Sequence, residues 1–209
     1  MEKRNTKQII LDEALELFSK CGYDGVTVAD IADAVGIKAA SLYKHYKSKQ
    51  DIFDSILAIA ADGFRQQTEL LGIDGHEYEN DIQCYTDMSL NTLIQTGTAL
   101  FLYALHDGTE QKLRRMFMVE QYKNADVSRL FIHQYINAPL DYQCALFKAF
   151  MEQKGFMKNL DPDVAAAHFY SPIFLMLCLC DNCPEREQEA LDFLQRHIKQ
   201  FNKLYMIGE

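Results

Sequence analysis

The stretch Thr27-Val28-Ala29-Asp30-Ile31-Ala32, continued by Val35-Gly36-Ile37 and then by Ser41-Leu42-Tyr43-Lys44-His45-Tyr46-Lys47-Ser48-Lys49, decides the fold. Thr27 and Asp30 have the spacing of a capping box, in which a hydroxyl takes the third helical amide and the carboxylate reaches back to the cap residue's own N–H. Val28, Ile31, Ala32 and Val35 then share one helical face, and Gly36 permits a sharp turn. Ile37 plugs the core at that turn, and a further short helix runs to about Tyr46, anchored by Ala39, Leu42 and Tyr46. With those three facing inward, Lys38, Ala40, Ser41, Lys44 and His45 remain on the outer surface, with Tyr43 at its flank. Two short helices around a small turn residue, the second presenting an open face, are what a helix-turn-helix requires. The face combines lysines that seek phosphate, a hydroxyl that can serve base or phosphate, and alanines that permit close approach to base edges.

Charge along the chain supports that face. The net charge is −9, which by itself disfavours a polyanionic partner. Residues 1–50, however, carry eight Lys/Arg against seven Asp/Glu, and the remainder of the chain holds the excess acid. No acid occurs between Asp33 and Asp51, the window that contains Lys38, Lys44, Lys47 and Lys49. A basic face on an acidic body is attracted to phosphate at one place and repelled elsewhere, which orients the molecule.

Working outward, helical periodicity dominates and strand signals are nearly absent, so the fold class is all-α. Ile10, Ala14, Leu17, Phe18 and Cys21 form the stripe of a first helix that Gly22 ends, with Tyr23 folding back. Ser48-Lys49-Gln50-Asp51 opens a fourth helix with an inner stripe of Ile52, Phe53, Ile56, Leu57 and Ala60. Beyond Phe64, the polar, glycine-bearing Gly72-Ile73-Asp74-Gly75-His76 marks a joint, which divides the chain into a helix-turn-helix domain at 1–64 and a larger helical domain at 76–209. Helices are expected there at about 79–106, 109–123, 125–135, 138–154, 162–181 and 185–205, with Pro172 kinking the fifth of them.

The six cysteines lack the spacing of a secreted disulfide scaffold and read as thiols. Cys178 and Cys180 point about 200° apart on a helix, so Cys178-x-Cys180-x-x-Cys183 reads as packing, not as a metal site. No cofactor motif is present. The longest apolar run, Ile173–Cys180, falls short of the ~20 residues of a bilayer span, and no signal-like apolar stretch follows Met1-Glu2-Lys3-Arg4, so a cytoplasmic, membrane-free protein is expected.

Over residues 6–60, and most specifically in Leu42-Tyr43-Lys44-His45-Tyr46-Lys47-Ser48-Lys49, the sequence resembles the DNA-binding domain of the tetracycline-repressor (TetR) family. The resemblance implies a transcriptional regulator and not an enzyme. It puts Lys38, Ala39, Ala40 and Ser41 against base edges and Tyr43, Lys44 and His45 on phosphates or nearby bases. Lys49 would hold a backbone phosphate, and Thr27 would cap its helix and donate to phosphate. Ala40 stands where many members carry glycine or proline, and Lys38 where a serine or threonine cap is common, so the operator is not transferable from a relative. The resemblance further implies a homodimer built from the last two helices (about 162–181 and 185–205), a palindromic double-stranded operator, and a small-molecule effector. Val164, Ala167, His168, Ile173, Phe174, Leu177, Leu191, Leu194, Ile198, Phe201 and Leu204 would supply the seams, and Met88, Leu93, Phe101, Tyr103, Met116, Met118, Tyr122, Phe147 and Met151 could line an effector cavity, plain core packing being the competing reading. The alternative from another class is an all-helical metal-dependent phosphohydrolase using His106-Asp107, with His76, His133 and His168 elsewhere; Asp107-Gly108 reads better as a helix boundary.

Overall fold

Helix α1, Thr6–Cys21, starts where the Asn5 side chain accepts the Lys7 N–H, and ends at Gly22, whose φ of 72° is accessible to glycine at little cost. Its core stripe is Ile10, Leu11, Ala14, Leu15 and Phe18; Leu17 is half-buried and Cys21 exposed, so the inner face lies one position to the side of the expected one. The computed structural model describes residues 5–60, 74, 77–153 and 156–207. Helix α2 is Val28–Val35, α3 is Ala39–Leu42 and α4 is Lys49–Ala60. Among the described residues the chain is helical, with no strand; Met157 and Met206 form an isolated antiparallel bridge.

The helices that follow are α5 (Tyr78–Asp87), α6 (Leu90–His106), α7 (Gly108–Glu120), α8 (Ala125–Ile132), α9 (Ala138–Glu152), α10 (Pro162–Asn182) and α11 (Glu187–Tyr205). The continuous helix expected at 79–106 is therefore two. Ser89 causes the break: its hydroxyl accepts the Thr92 N–H at 3.1 Å and contacts the Thr92 hydroxyl at 2.8 Å, recapping the chain after Met88. A π-helical turn, His133–Asn137, joins α8 to α9 where two separate helices were expected. Helix α10 runs through Pro172, and His197 contacts the Phe169 carbonyl at 2.8 Å, beside the carbonyls that the proline ring disturbs.

The chain divides into two units. The first joins Met1–Gly63 to Asp107–Phe131, so α7 and α8 group with the N-terminal helices; the second joins Phe64–His106 to Ile132–Glu209. The expected joint at 72–76, apart from Asp74, lies outside the described residues, as do Phe64 and residues 154–155, which fall at the end of the helix expected at 138–154.

Among the described residues, two apolar clusters lie in the second unit. One gathers Ile94, Phe101, Leu105, Leu177, Cys180, Ala190, Leu194 and Ile198 from α6, α10 and α11. The other gathers Leu146, Phe147, Phe150, Met157, Ala165, Ala166, Phe201 and Tyr205, and Phe169 packs against both. Helices α6 and α11 approach closely because position 97 is glycine: a Cβ there would lie 2.9 Å from Ile198 Cδ1. Leu194, Ile198 and Phe201, expected in a seam between protomers, thus belong to the protomer's own core. Helix α10 is long and apolar enough to cross a membrane by length and composition, further than the run Ile173–Cys180 suggested, yet only 22% of its most apolar window is buried.

Candidate nucleic-acid interface

The turn forms as its residues dictate. Thr27 Oγ1 accepts the Asp30 N–H at 3.2 Å, and Asp30 Oδ2 takes both the Thr27 N–H and the Thr27 hydroxyl at 2.7 Å. These bonds hold the exposed Asp30 carboxyl below its ordinary range. Gly36, at φ 77° and ψ 30°, adopts the left-handed conformation. Its N–H meets Asp33 O at 3.1 Å and Ile37 N–H meets Ala32 O at 2.9 Å, the pair of reversed bonds that closes a helix end. The chain is thereby turned directly into α3.

Helix α3 is shorter than expected, four residues instead of a run to Tyr46. Lys38 is its N-cap and offers no side-chain cap bond, so the first amides lack the hydroxyl acceptor that a serine or threonine would bring. The backbone stays wound beyond it in a looser turn, with His45 N–H on Leu42 O at 2.9 Å and Tyr46 N–H on the same oxygen at 3.1 Å. Leu42 and Tyr46 are buried, as the spacing predicted, and the Tyr46 hydroxyl donates to Lys7 O at 3.2 Å. Ser48 then caps α4 by accepting the Asp51 N–H at 3.0 Å, while Asp51 Oδ2 takes the Lys47 N–H at 2.8 Å.

Of the residues expected to face DNA, Thr27, Lys38, Ala40, Tyr43, Lys44 and His45 are exposed, Tyr43 by 54%, and Ala39 and Ser41 are half-buried. They form one surface across α3 and its following turn. Two of them have other partners. The Thr27 hydroxyl hydrogen goes to Asp30, not outward. Lys49 is half-buried, and its Nζ donates to Tyr23 O and Val26 O, both at 2.8 Å, from 4.0 Å above the Tyr23 ring. The ammonium that was expected on a phosphate is engaged by two carbonyls of the α1–α2 turn, since a lysine stem lying along an aromatic ring delivers its head to whatever oxygens lie at the ring's edge.

The residues expected around an effector do not gather. Phe101 lies in one apolar cluster, while Phe147 and Met151 belong to the other. Met88 and Tyr103 are half-buried in the same unit; Met118 and Tyr122 belong to the first unit and are exposed, Tyr122 by 88%. Core packing accounts for the two phenylalanines: Phe101 is buried in the first cluster, and Phe147, buried in the second, packs against the Phe169 and Phe201 rings. The phosphohydrolase alternative fails on geometry. His106 Nε2 contacts Glu187 at 3.1 Å, and Asp107 accepts the Thr109 and Glu110 amides as the cap of α7. Among the described residues no three His, Cys, Asp or Glu side chains gather as a metal site.

Glu120, which no local pattern singles out, is buried and accepts the Tyr23 N–H at 2.8 Å across 97 residues of sequence. Beside it along α7, Lys112 meets Glu16 of α1 at 2.7 Å, and together with Lys20 it draws the Glu16 carboxyl down to about 2.

Comparison with known proteins places the same stretch. Residues 10–56 match the family of bacterial regulatory proteins described as tetR. The chain is similar to the biofilm operon icaADBC HTH-type negative transcriptional regulator IcaR of Staphylococcus aureus, 48% identical over 56 residues, which is 27% of this chain and 30% of IcaR. It therefore spans less than a third of that relative's length. In fold, it is similar over 99% of its length to the whole of a TetR-family transcriptional regulator from Mesorhizobium loti, with a TM-score of 0.64 and 20% identity. It is likewise similar to SmeT, the repressor of the Stenotrophomonas maltophilia multidrug efflux pump SmeDEF, with a TM-score of 0.62 and 18% identity over 97% of this chain and 91% of SmeT. Over residues 10–56 the chain thus matches the tetR family of bacterial regulatory proteins, and over nearly its whole length it shares the fold of the TetR-family structures.

Proposed function

We propose that this protein is a transcriptional repressor that binds a palindromic DNA operator as a homodimer and is released by a small-molecule effector. The observation that carries the DNA reading is the acid-free stretch on which Lys38, Ala40, Tyr43, Lys44 and His45 are exposed and Ser41 half-buried, along the short helix α3 and the turn after it, entered through left-handed Gly36. Lysine ammonium groups supply phosphate attraction, and Ser41, Lys44 and His45 supply hydrogen bonds within reach of base edges. Lacking long side chains at Ala39 and Ala40, the surface reads shape and backbone more than base identity.

The dimer reading rests on α10. Its Ala165, Ala166, Leu177 and Cys180 pack within the unit, while Val164 and Leu175 stay exposed, Leu175 by 59%. Ser171, Pro172, Phe174, Leu175, Cys178 and Phe193 line an open apolar groove on the same side. A second copy seated on that face would bury it by two-fold symmetry, and the dimer would set two recognition helices about 34–36 Å apart along DNA. The repressor assignment draws on IcaR and SmeT, and the effector on the solved complex of SmeT with triclosan. Access to DNA requires a cytoplasmic protein.

Selection of binding sites from random duplex DNA tests this directly. The expected result is a palindrome with half-sites about one helical turn apart; recovery of no preferred sequence, at any salt concentration, would refute the reading.

A further inference from the structure

Tyr23 is held from both sides of its peptide by oppositely charged groups. From α7, the buried Glu120 carboxylate accepts its N–H at 2.8 Å; from the start of α4, the Lys49 ammonium takes its carbonyl and that of Val26 at 2.8 Å each. The ring between them packs edge-on to Phe53 at 4.8 Å and tilted against Phe18 at 5.6 Å. The approach of Glu120 needs a bare neighbour: a Cβ on Gly22 would fall 2.6 Å from its Oε1. Val26 immediately precedes Thr27, the cap of α2, so the clamp fixes the point from which α2 and then α3 depart.

Stability alone does not account for a buried carboxylate in this turn. Removing a charge from water costs several kcal/mol, and an apolar contact would hold α7 against α1 at least as well. A carboxylate that meets the Lys123 ammonium at 3.7 Å and accepts the Tyr23 amide does what an apolar contact does not: it fixes a distance and a direction. We propose that Glu120 is a positioning residue for DNA recognition. Acting through Tyr23, and outside the family-matched residues 10–56, it sets the angle at which α2 and α3 are presented. This rests on the reading of α3 as the DNA-facing helix.

The test compares full-length wild type with Glu120→Gln and Glu120→Ala, using the selected operator and an unrelated duplex, with binding followed by fluorescence anisotropy across a salt series. Glutamine keeps an acceptor oxygen for the Tyr23 N–H and is expected to bind the operator within about two-fold of wild type. Alanine removes the acceptor and is expected to weaken operator binding on the order of ten-fold, as is typical of coupled sites, with affinity for the unrelated duplex and the salt slope unchanged. An alanine variant that melts cooperatively above the assay temperature and keeps the wild-type ratio of operator to unrelated binding would overturn the proposal. Where alanine prevents folding, Glu120→Asp carries the same expectation, because it keeps the charge and withdraws the oxygen by one methylene; a wild-type ratio for that variant overturns the proposal as well. A wild type that selects no sequence would instead overturn the DNA reading itself.

Discussion

Replacing Lys49 with methionine separates two roles for one ammonium. Methionine keeps most of the stem over the Tyr23 ring but donates nothing to the Tyr23 and Val26 carbonyls, now each held at 2.8 Å. A hydrogen bond to a charged group is worth about 1.5–3 kcal/mol net, and a cation over an aromatic face adds about 0.5–1 kcal/mol. Because one half-buried ammonium serves both carbonyls and water can replace part of what is lost, the sum is discounted to about 2 kcal/mol. For a chain of 209 residues this corresponds to a fall in Tm of about 4–8 °C. The assay pairs a thermal melt followed by circular dichroism with the salt dependence of binding to an unrelated duplex. The structure anticipates a lowered Tm and an unchanged slope. An unchanged Tm with a slope smaller by about 0.9, the loss of one phosphate contact, would show that Lys49 faces DNA and that the internal clamp is unimportant.

Other perturbations follow from the same geometry. Leu175→Glu places a charge in the exposed apolar face of α10 and is expected to give a folded monomer by sedimentation velocity; an unaltered dimer would locate the interface elsewhere. Ser41→Ala and Lys44→Ala are expected to change the sequence recovered by selection from random DNA, and recovery of the wild-type sequence from both would remove base reading from α3. Burial, with the Asp107 charge nearby, pushes the Glu110 carboxyl up to about 7 against the opposing pull of Arg114, and among the described residues its Oε1 meets no donor. A raised carboxyl favours the folded state below its unfolded value of about 4.5, and that contribution is lost as pH rises through about 7. Wild type should therefore be less stable at pH 8 than at pH 5, by on the order of 3 kcal/mol, the rise from 4.5 to about 7 counted at about 1.4 kcal/mol per unit of pKa. Glu110→Gln should remove the difference in urea melts, whereas an identical difference in that variant would assign it to other groups.

The turn itself was legible because every device in it is local: Thr27 with Asp30 at three residues, Gly36 after Val35, and Leu42 with Tyr46 at four. The all-α class and most helix positions follow from the same short-range periodicity. What escaped the sequence depends on long-range contact. The partner of Lys49 lies 23 to 26 residues away, and the partner of Glu120 lies 97 away. Neither distance leaves a period to read. The break at Met88-Ser89 was missed for a different reason: Leu90, Leu93 and Ile94 continue the apolar pattern across it, so only the Ser89-to-Thr92 cap marks the restart. The candidate effector residues share only their type, and type does not distinguish Phe101 and Phe147 in two cores from side chains around a cavity.

The contact of Gly97 with Ile198 ties the history of two distant codons together. A methyl at 97 would lie 2.9 Å from Ile198 Cδ1 and would require that terminal methyl to swing aside, and a shorter side chain at 198 opens a void that a methyl at 97 would help to fill. Each change is therefore expected to cost less in the company of the other than alone. The two positions should be inherited as a pair, with glycine facing a long side chain or alanine facing a short one, and the spacing of α6 and α11 should shift with whichever pair is present.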